Sequence, residues 1–103
     1  MLETIDDQNI GPLLASEGLT VLLMSSPWDG NGIILRSIIV GLTERFPGVH
    51  FREAAYETSP RLARLFNLTS PPGLLLIVDG ELVERLTKPV SAGKIVELIQ
   101  NLI

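Results

Sequence analysis

The stretch Ser25-Ser26-Pro27-Trp28-Asp29-Gly30-Asn31-Gly32 joins two segments of different hydrophobic period, and the reading of that junction decides the architecture. Before it, Thr20, Val21, Leu22, Leu23 and Met24 form an unbroken apolar run, the pattern of a strand covered on both faces and so central in its sheet. After it, Ile34, Leu35, Ile38, Ile39, Leu42 and Phe46 recur at helical spacing, predicting a helix over residues 33–46 that buries one wide face and turns Arg36, Thr43 and Glu44 away. Pro47-Gly48 stops that helix. A strand, a Gly-rich turn and a helix start together make an anion-tolerant corner, because the unpaired N–H groups of the first helical turn point at whatever sits there. The corner holds no Cys, no His, no serine with an evident base and no metal-ligand cluster, so no catalytic group, metal or other cofactor is expected in it.

Upstream, residues 1–5 suit a short edge strand, and Asp6-Asp7-Gln8-Asn9 is a capping turn into a short helix with Pro12 at its first position and Gly18 at its close. Downstream, residues 49–55 form the next strand, with Val49, Phe51 and Glu53 on one side. Ser59 as N-cap and Pro60 behind it open a short helix that runs to Phe66. Residues 74–78 and 81–87 flank Asp79-Gly80, a hairpin signal that calls for a type I′ turn. Ser91 caps a last amphipathic helix carrying Ile95, Val96, Leu98, Ile99 and Leu102. The order β-α-β-α-β-α-β-β-α predicts one α/β domain over 1–103, a central mixed sheet with helices on both faces and a terminal antiparallel hairpin.

Composition narrows the function classes. Of 103 residues, 46% are hydrophobic, and the mean hydropathy is +0.35. No run approaches the length of a membrane span, so the apolar excess serves a core or a contact surface. A net charge of −4 without any Lys/Arg cluster lacks the electrostatic footprint of a nucleic-acid or anionic-membrane binder, and neither partner is expected. The acidic start has no basic region followed by an apolar one, which predicts a cytoplasmic location. There is no cysteine, so disulfides say nothing of the compartment.

Element order and punctuation together resemble the thioredoxin family, from Asp6 to Leu102. The family's active-site corner reads Trp-Cys-Gly-Pro-Cys, and here the corner reads Trp28-Asp29-Gly30-Asn31-Gly32. Pro60 precedes Pro72 by the spacing that separates the family's helix-opening proline from its cis-proline, and Leu74-Leu75-Leu76-Ile77-Val78-Asp79-Gly80-Glu81 is similar to the strand and turn that follow. The departures bear on function. Thiol–disulfide exchange needs one thiolate to attack and a second thiol to resolve, and Asp29 and Gly32 stand at those positions. The buried carboxylate that the family keeps in its central strand is matched by Leu23, and the helix proline by Ser37, which predicts a straighter helix. The residue before the cis-proline, whose backbone anchors peptide ligands in the family, is Pro71 and has no N–H to offer. Lys88, followed by Pro89, replaces a loop glycine and crowds the same groove.

The remaining candidates divide between structural and functional readings. Asp29 is expected to cap the helix rather than act as an acid or base. Trp28 either anchors a partner or packs over its loop. His50 stands alone on a strand, and Arg61, Arg64 and Arg85 read as scattered charges on a solvated face. Ile33 and Val40 fall on the helix face opposite the core stripe, beside Ser37 and Glu44, and with Trp28 would form an exposed apolar patch. The expectation is a redox-inactive, non-catalytic module that binds a protein partner or a second copy of itself. Its contacts would centre on Trp28 to Gly32, Ile33, Val40 and the Pro71-Pro72 loop. The alternative is an enzyme of another class that holds an anionic small molecule at the helix start, using Asp29 or Asn31.

Overall fold

The computed structural model describes residues 2–103, so the first residue of the strand expected over 1–5 lies outside the described residues. The elements are β1 (Glu3–Thr4), a 3₁₀ turn (Asp7–Asn9), α1 (Ile10–Ala15), β2 (Leu19–Ser25), α2 (Gly30–Leu42), β3 (His50–Ala55), α3 (Pro60–Leu65), β4 (Gly73–Val78), β5 (Glu81–Leu86) and α4 (Ala92–Leu102). They build a five-stranded sheet of order β1-β3-β2-β4-β5. β2 lies at its centre, parallel to β3 and antiparallel to β4.

Alternation along β2 sends Val21 and Leu23 to one face and Leu22 and Met24 to the other, and all four are fully buried. Val21 and Leu23 pack with Leu35 and Ile39 of α2 and Ile95 and Ile99 of α4. Leu22 and Met24 pack with Leu13 of α1 and Leu62 and Ala63 of α3. The unbroken apolar run is thus the signature of a strand sandwiched between two helical layers. Leu23, where the family resemblance would place an acid, is one more core leucine at 0% exposure.

The structure corrects several boundaries. α2 begins at Gly30 rather than Ile33, because Asp29 caps it, and ends at Leu42, with Phe46 packing from the turn beyond. Its buried stripe is narrow: Gly32, Leu35, Ile39 and Leu42 are covered, while Ile34, expected inside, is 52% exposed. At about 100° per residue Ile34 falls past the edge of the strip that the sheet reaches. Pro12 is the third residue of α1, not the first. The chain turns helical earlier because Asp6 accepts from Gln8 N at 2.8 Å while Asp6 N donates to the Asn9 side chain at 3.0 Å, a capping box around the 3₁₀ turn. β3 starts at His50, with Val49 buried just ahead of it.

Ser59 does not cap α3, since its hydroxyl is buried and has no hydrogen-bond partner among the described residues. The cap comes from far away in sequence: the Asp7 carboxylate accepts from Arg61 N at 3.1 Å and Leu62 N at 2.9 Å. Two expected devices stand as the residue types dictate. Asp79 (φ 50°) and Gly80 (φ 84°) give the positive pair of a type I′ turn, and Ser91 Oγ accepts from Lys94 N at 3.1 Å to cap α4.

Candidate functional site

At the C-terminal end of β2 the chain winds tightly into α2. Trp28 N donates to Ser26 Oγ at 3.4 Å, Asp29 N to Ser26 O at 3.1 Å, and Ile33 N to Asp29 O at 3.1 Å. One Asp29 oxygen accepts from Asn31 N at 3.0 Å, so this carboxylate caps the helix and lies against its positive end. The other oxygen, Oδ2, is buried with no partner among the described residues. With its backbone held inward, the loop throws the Trp28 side chain out, leaving it 91% exposed. Gly30 and Asn31 are exposed beside it. The Pro71-Pro72 peptide is cis, and pairing of Met24 with Gly73 brings that loop to the same end of the sheet as Ser25.

Gly32 differs from the other corner positions. A Cβ built on it would lie 2.8 Å from the Cβ of Ser25, an atom fixed to the strand backbone and unable to swing aside. The space for a side chain at position 32 is therefore taken by β2 itself. By contrast, a Cβ on Gly30 would meet nothing within 4 Å.

Ile33 (60% exposed) and Val40 (44%) stand outward from α2. Ile33 also borders a cleft of about 280 Å³ lined by Ser25, Pro27, Arg36, Glu53 and Ala55. A second depression of about 320 Å³ continues along Ile33, Arg36, Ser37 and Val40. Arg36 Nε donates to Glu53 Oε2 at 2.8 Å and Arg36 Nη2 to Glu53 Oε1 at 3.3 Å, a two-pronged pair that ties α2 to β3. The hydrogen bond to Glu53, with the attraction of its charge, raises the pKa of Arg36. Thr4 Oγ1 donates to the same carboxylate at 3.4 Å. The apolar residues thus rim a cleft whose one strong polar feature is internally satisfied.

Sequence reasoning missed this pair. Its one signal was Glu53, an acid on the same side of β3 as Phe51, where only a partnered charge is tolerated. Arg61, Arg64 and Arg85 are all exposed, in keeping with a solvated face. Arg61 and Arg64 lie one turn apart on α3, and Arg85 Nη1 donates to Phe66 O at 3.0 Å, at the end of the same helix. Among the described residues no group of three or more His, Cys, Asp or Glu is placed to hold a metal ion, and His50 stays alone. No helix among them is long and apolar enough to cross a membrane.

The mixed sheet between two helical layers, the strand–turn–helix corner and the cis-proline loop beside it together make a thioredoxin-like fold whose corner holds no cysteine. The chain is similar to two thioredoxins along its whole length: that of Chlamydia trachomatis serovar D, 27% identical over 98% of both chains, and that of Chlamydia muridarum, 29% identical over 98% of both. A chain in a solved structure describing the thiol-resolving mechanism of yeast mitochondrial 1-Cys peroxiredoxin via glutathione/thioredoxin systems superposes with a TM-score of 0.86, at 19% identity, over 98% of this chain and 95% of that one. No protein-family model matches the chain. Similarity to thioredoxins extends over the full fold, and neither cysteine of the expected pair is present.

Proposed function

We propose that this protein is a thioredoxin-fold binding module that does no thiol–disulfide chemistry and docks a protein partner on the rim formed by Trp28, Ile33 and Val40. The observation that carries this reading is the near-complete exposure of Trp28 beside the outward ridge of α2. Burying each of these side chains against a partner would contribute about 1.5–3 kcal/mol, and a large exposed aromatic is a residue type that often dominates an interface. The reading also draws support from two features of the corner. The chain has no thiol, and the space for a side chain at Gly32 is filled by Ser25. The anion-binding alternative is disfavoured because Asp29 already places a carboxylate at the start of α2, where it would repel a second negative group.

Two measurements test this. In dithiothreitol-driven insulin reduction the protein should not exceed the no-protein control, and turnover above it overturns the non-redox assignment. Capture from lysate of the source cells should be compared between the native protein and an Ile33→Glu, Val40→Glu variant, with sedimentation velocity on both to detect self-association. A partner or dimer held by the native protein and lost by the variant supports the docking rim. Equal behaviour of the two, with a thermal shift on adding glutathione or another anionic metabolite, returns the corner to the ligand-binding alternative.

A further inference from the structure

A second surface, remote from the corner in chemistry and built on the other helical layer, carries three exposed arginines of an acidic protein. Arg61 and Arg64 are exposed on the outer side of α3, and neither has a carboxylate within ion-pair distance among the described residues. Arg85 joins them through its bond to Phe66 O. The strand that carries Arg85 sorts its charges by face. Arg85 pairs with Leu75, on the α1/α3 side of the sheet, whereas Glu84 pairs with Leu76, on the α2/α4 side. The nearby acids are not paired directly with these guanidinium groups. Asp7 is engaged by the first N–H groups of α3, and Glu57 faces a neighbouring hollow with Arg64.

The apolar content of this surface is as specific as its charge. A hollow of about 290 Å³ lies between Ile10 at the start of α1 and Arg61, Arg64 and Leu65 of α3. Leu65 is 42% exposed and Leu14, further along α1, 40%. Aliphatic side chains framed by two unpaired guanidinium groups match a segment that brings carboxylates on either side of an aliphatic residue.

We propose that the α1/α3 face, centred on Arg61, Arg64 and Leu65, docks an acidic, leucine-bearing segment of a partner protein, independently of the Trp28 rim. The carboxylates of the segment pair with the two arginines, and its leucine enters the hollow against Ile10 and Leu65.

The test uses ¹⁵N-labelled protein and a synthetic peptide of sequence Glu-Glu-Leu-Glu-Glu-Leu, with a Glu-only peptide as the charge control. Binding should move the amide signals of Ile10 and Arg61 to Leu65 and weaken as salt is raised. It should fall about tenfold in an Arg61→Gln, Arg64→Gln variant, the size expected for two exposed charge contacts. It should also fall in Leu65→Gln, and persist in the Ile33→Glu, Val40→Glu variant. All three substituted positions on α3 are solvent-exposed, and an unchanged thermal midpoint checks that the variants are folded. Absence of binding by the leucine peptide, equal binding of the Glu-only peptide, or shifts centred on residues 26–33 instead of α3 would each overturn the proposal. The first two leave the Trp28 docking reading untouched, and the third would support it while removing the α1/α3 site.

Discussion

At the end of the sheet where β2 begins, the hairpin turn is bolted to the loop after α1. Asp79 Oδ1 accepts from Gly18 N at 2.8 Å, Asp79 N donates to Gly18 O at 3.0 Å, and Gly80 packs directly on the carbonyl of Leu14. At the opposite end, where β2 finishes, the corner has one bond to a distant segment, Tyr56 N donating to Ser25 O at 2.9 Å, and is otherwise held by local bonds; it leaves Asp29 Oδ2 without a partner among the described residues and exposes nearly the whole indole. Two loops that read alike in sequence, each an Asp-Gly pair beside a central strand, have thus been put to different uses. One closes the fold by bonds between segments distant along the chain. The other is folded just enough to hold its shape and present a surface. A protein that needed both ends only for stability would be expected to close both.

The largest expected effect comes from breaking the closed end. Gly80→Ala puts a methyl group into the Leu14 carbonyl at a backbone angle of φ 84° that L side chains resist, so the turn must move or pull away from α1. A loss of about 3 kcal/mol is expected in urea unfolding. A loss below about 0.5 kcal/mol would mean the hairpin is not tied to α1 in solution, and the contrast between the two ends would collapse. Gly32→Ala is the matched change at the corner, with an expected cost of about 1–3 kcal/mol from the 2.8 Å approach to Ser25 Cβ. Adding Ser25→Gly removes the opposing atom and should recover part of that loss, a coupling of about 1 kcal/mol in a double-mutant cycle. Strict additivity of the two changes would show that Gly32 is not held by Ser25.

The two aspartates sharpen the comparison at smaller scale. Asp79→Ala leaves Gly18 N–H without its side-chain partner and places alanine at φ 50°, for an expected loss of about 2 kcal/mol. Asp29→Ala removes one capping bond to Asn31 but also an unpartnered buried oxygen, so about 1 kcal/mol or less is expected. If the order is reversed in thermal unfolding, the corner contributes more to stability than its bonds indicate.

Much of the architecture was legible because it follows from period and punctuation. The alternation of β2 between two cores, the Asp79-Gly80 turn and the Ser91 cap each depend on residues adjacent in sequence. What escaped depends on partners distant along the chain. Asp7 caps a helix 54 residues away, a role that local pattern alone assigns to Ser59. Arg36 and Glu53 are 17 residues apart and meet only once α2 lies across β3. Ile34 fits the helical stripe by period but falls outside it, because the width of that stripe is set by how much of α2 the sheet covers. At the corner, the missing thiols are plain in the sequence, whereas the closure of position 32 by Ser25 needs the strand and helix in place.

The smallest expected change in stability carries the most functional weight. Ile33 lies in the first turn of α2, where a carboxylate suits the helix dipole, and Val40 near the last, where it does not, so the two effects of Ile33→Glu, Val40→Glu largely offset. Both side chains project into solvent and leave no cavity behind, and the variant should unfold within about 0.5 kcal/mol of the native protein. The new acids also fall within one turn of Arg36 and compete with Glu53 for it, so an Ile33→Gln, Val40→Gln companion separates loss of apolar surface from rearrangement of that ion pair. If both variants are stable and both lose the partner, the ridge itself is the contact. If only the Glu variant loses it, recognition runs through Arg36 and the cleft, and the docking site moves from the rim of the corner to its polar floor. If both are strongly destabilised, the ridge is already covered within the native protein, and the open end of the sheet is closed by a second copy.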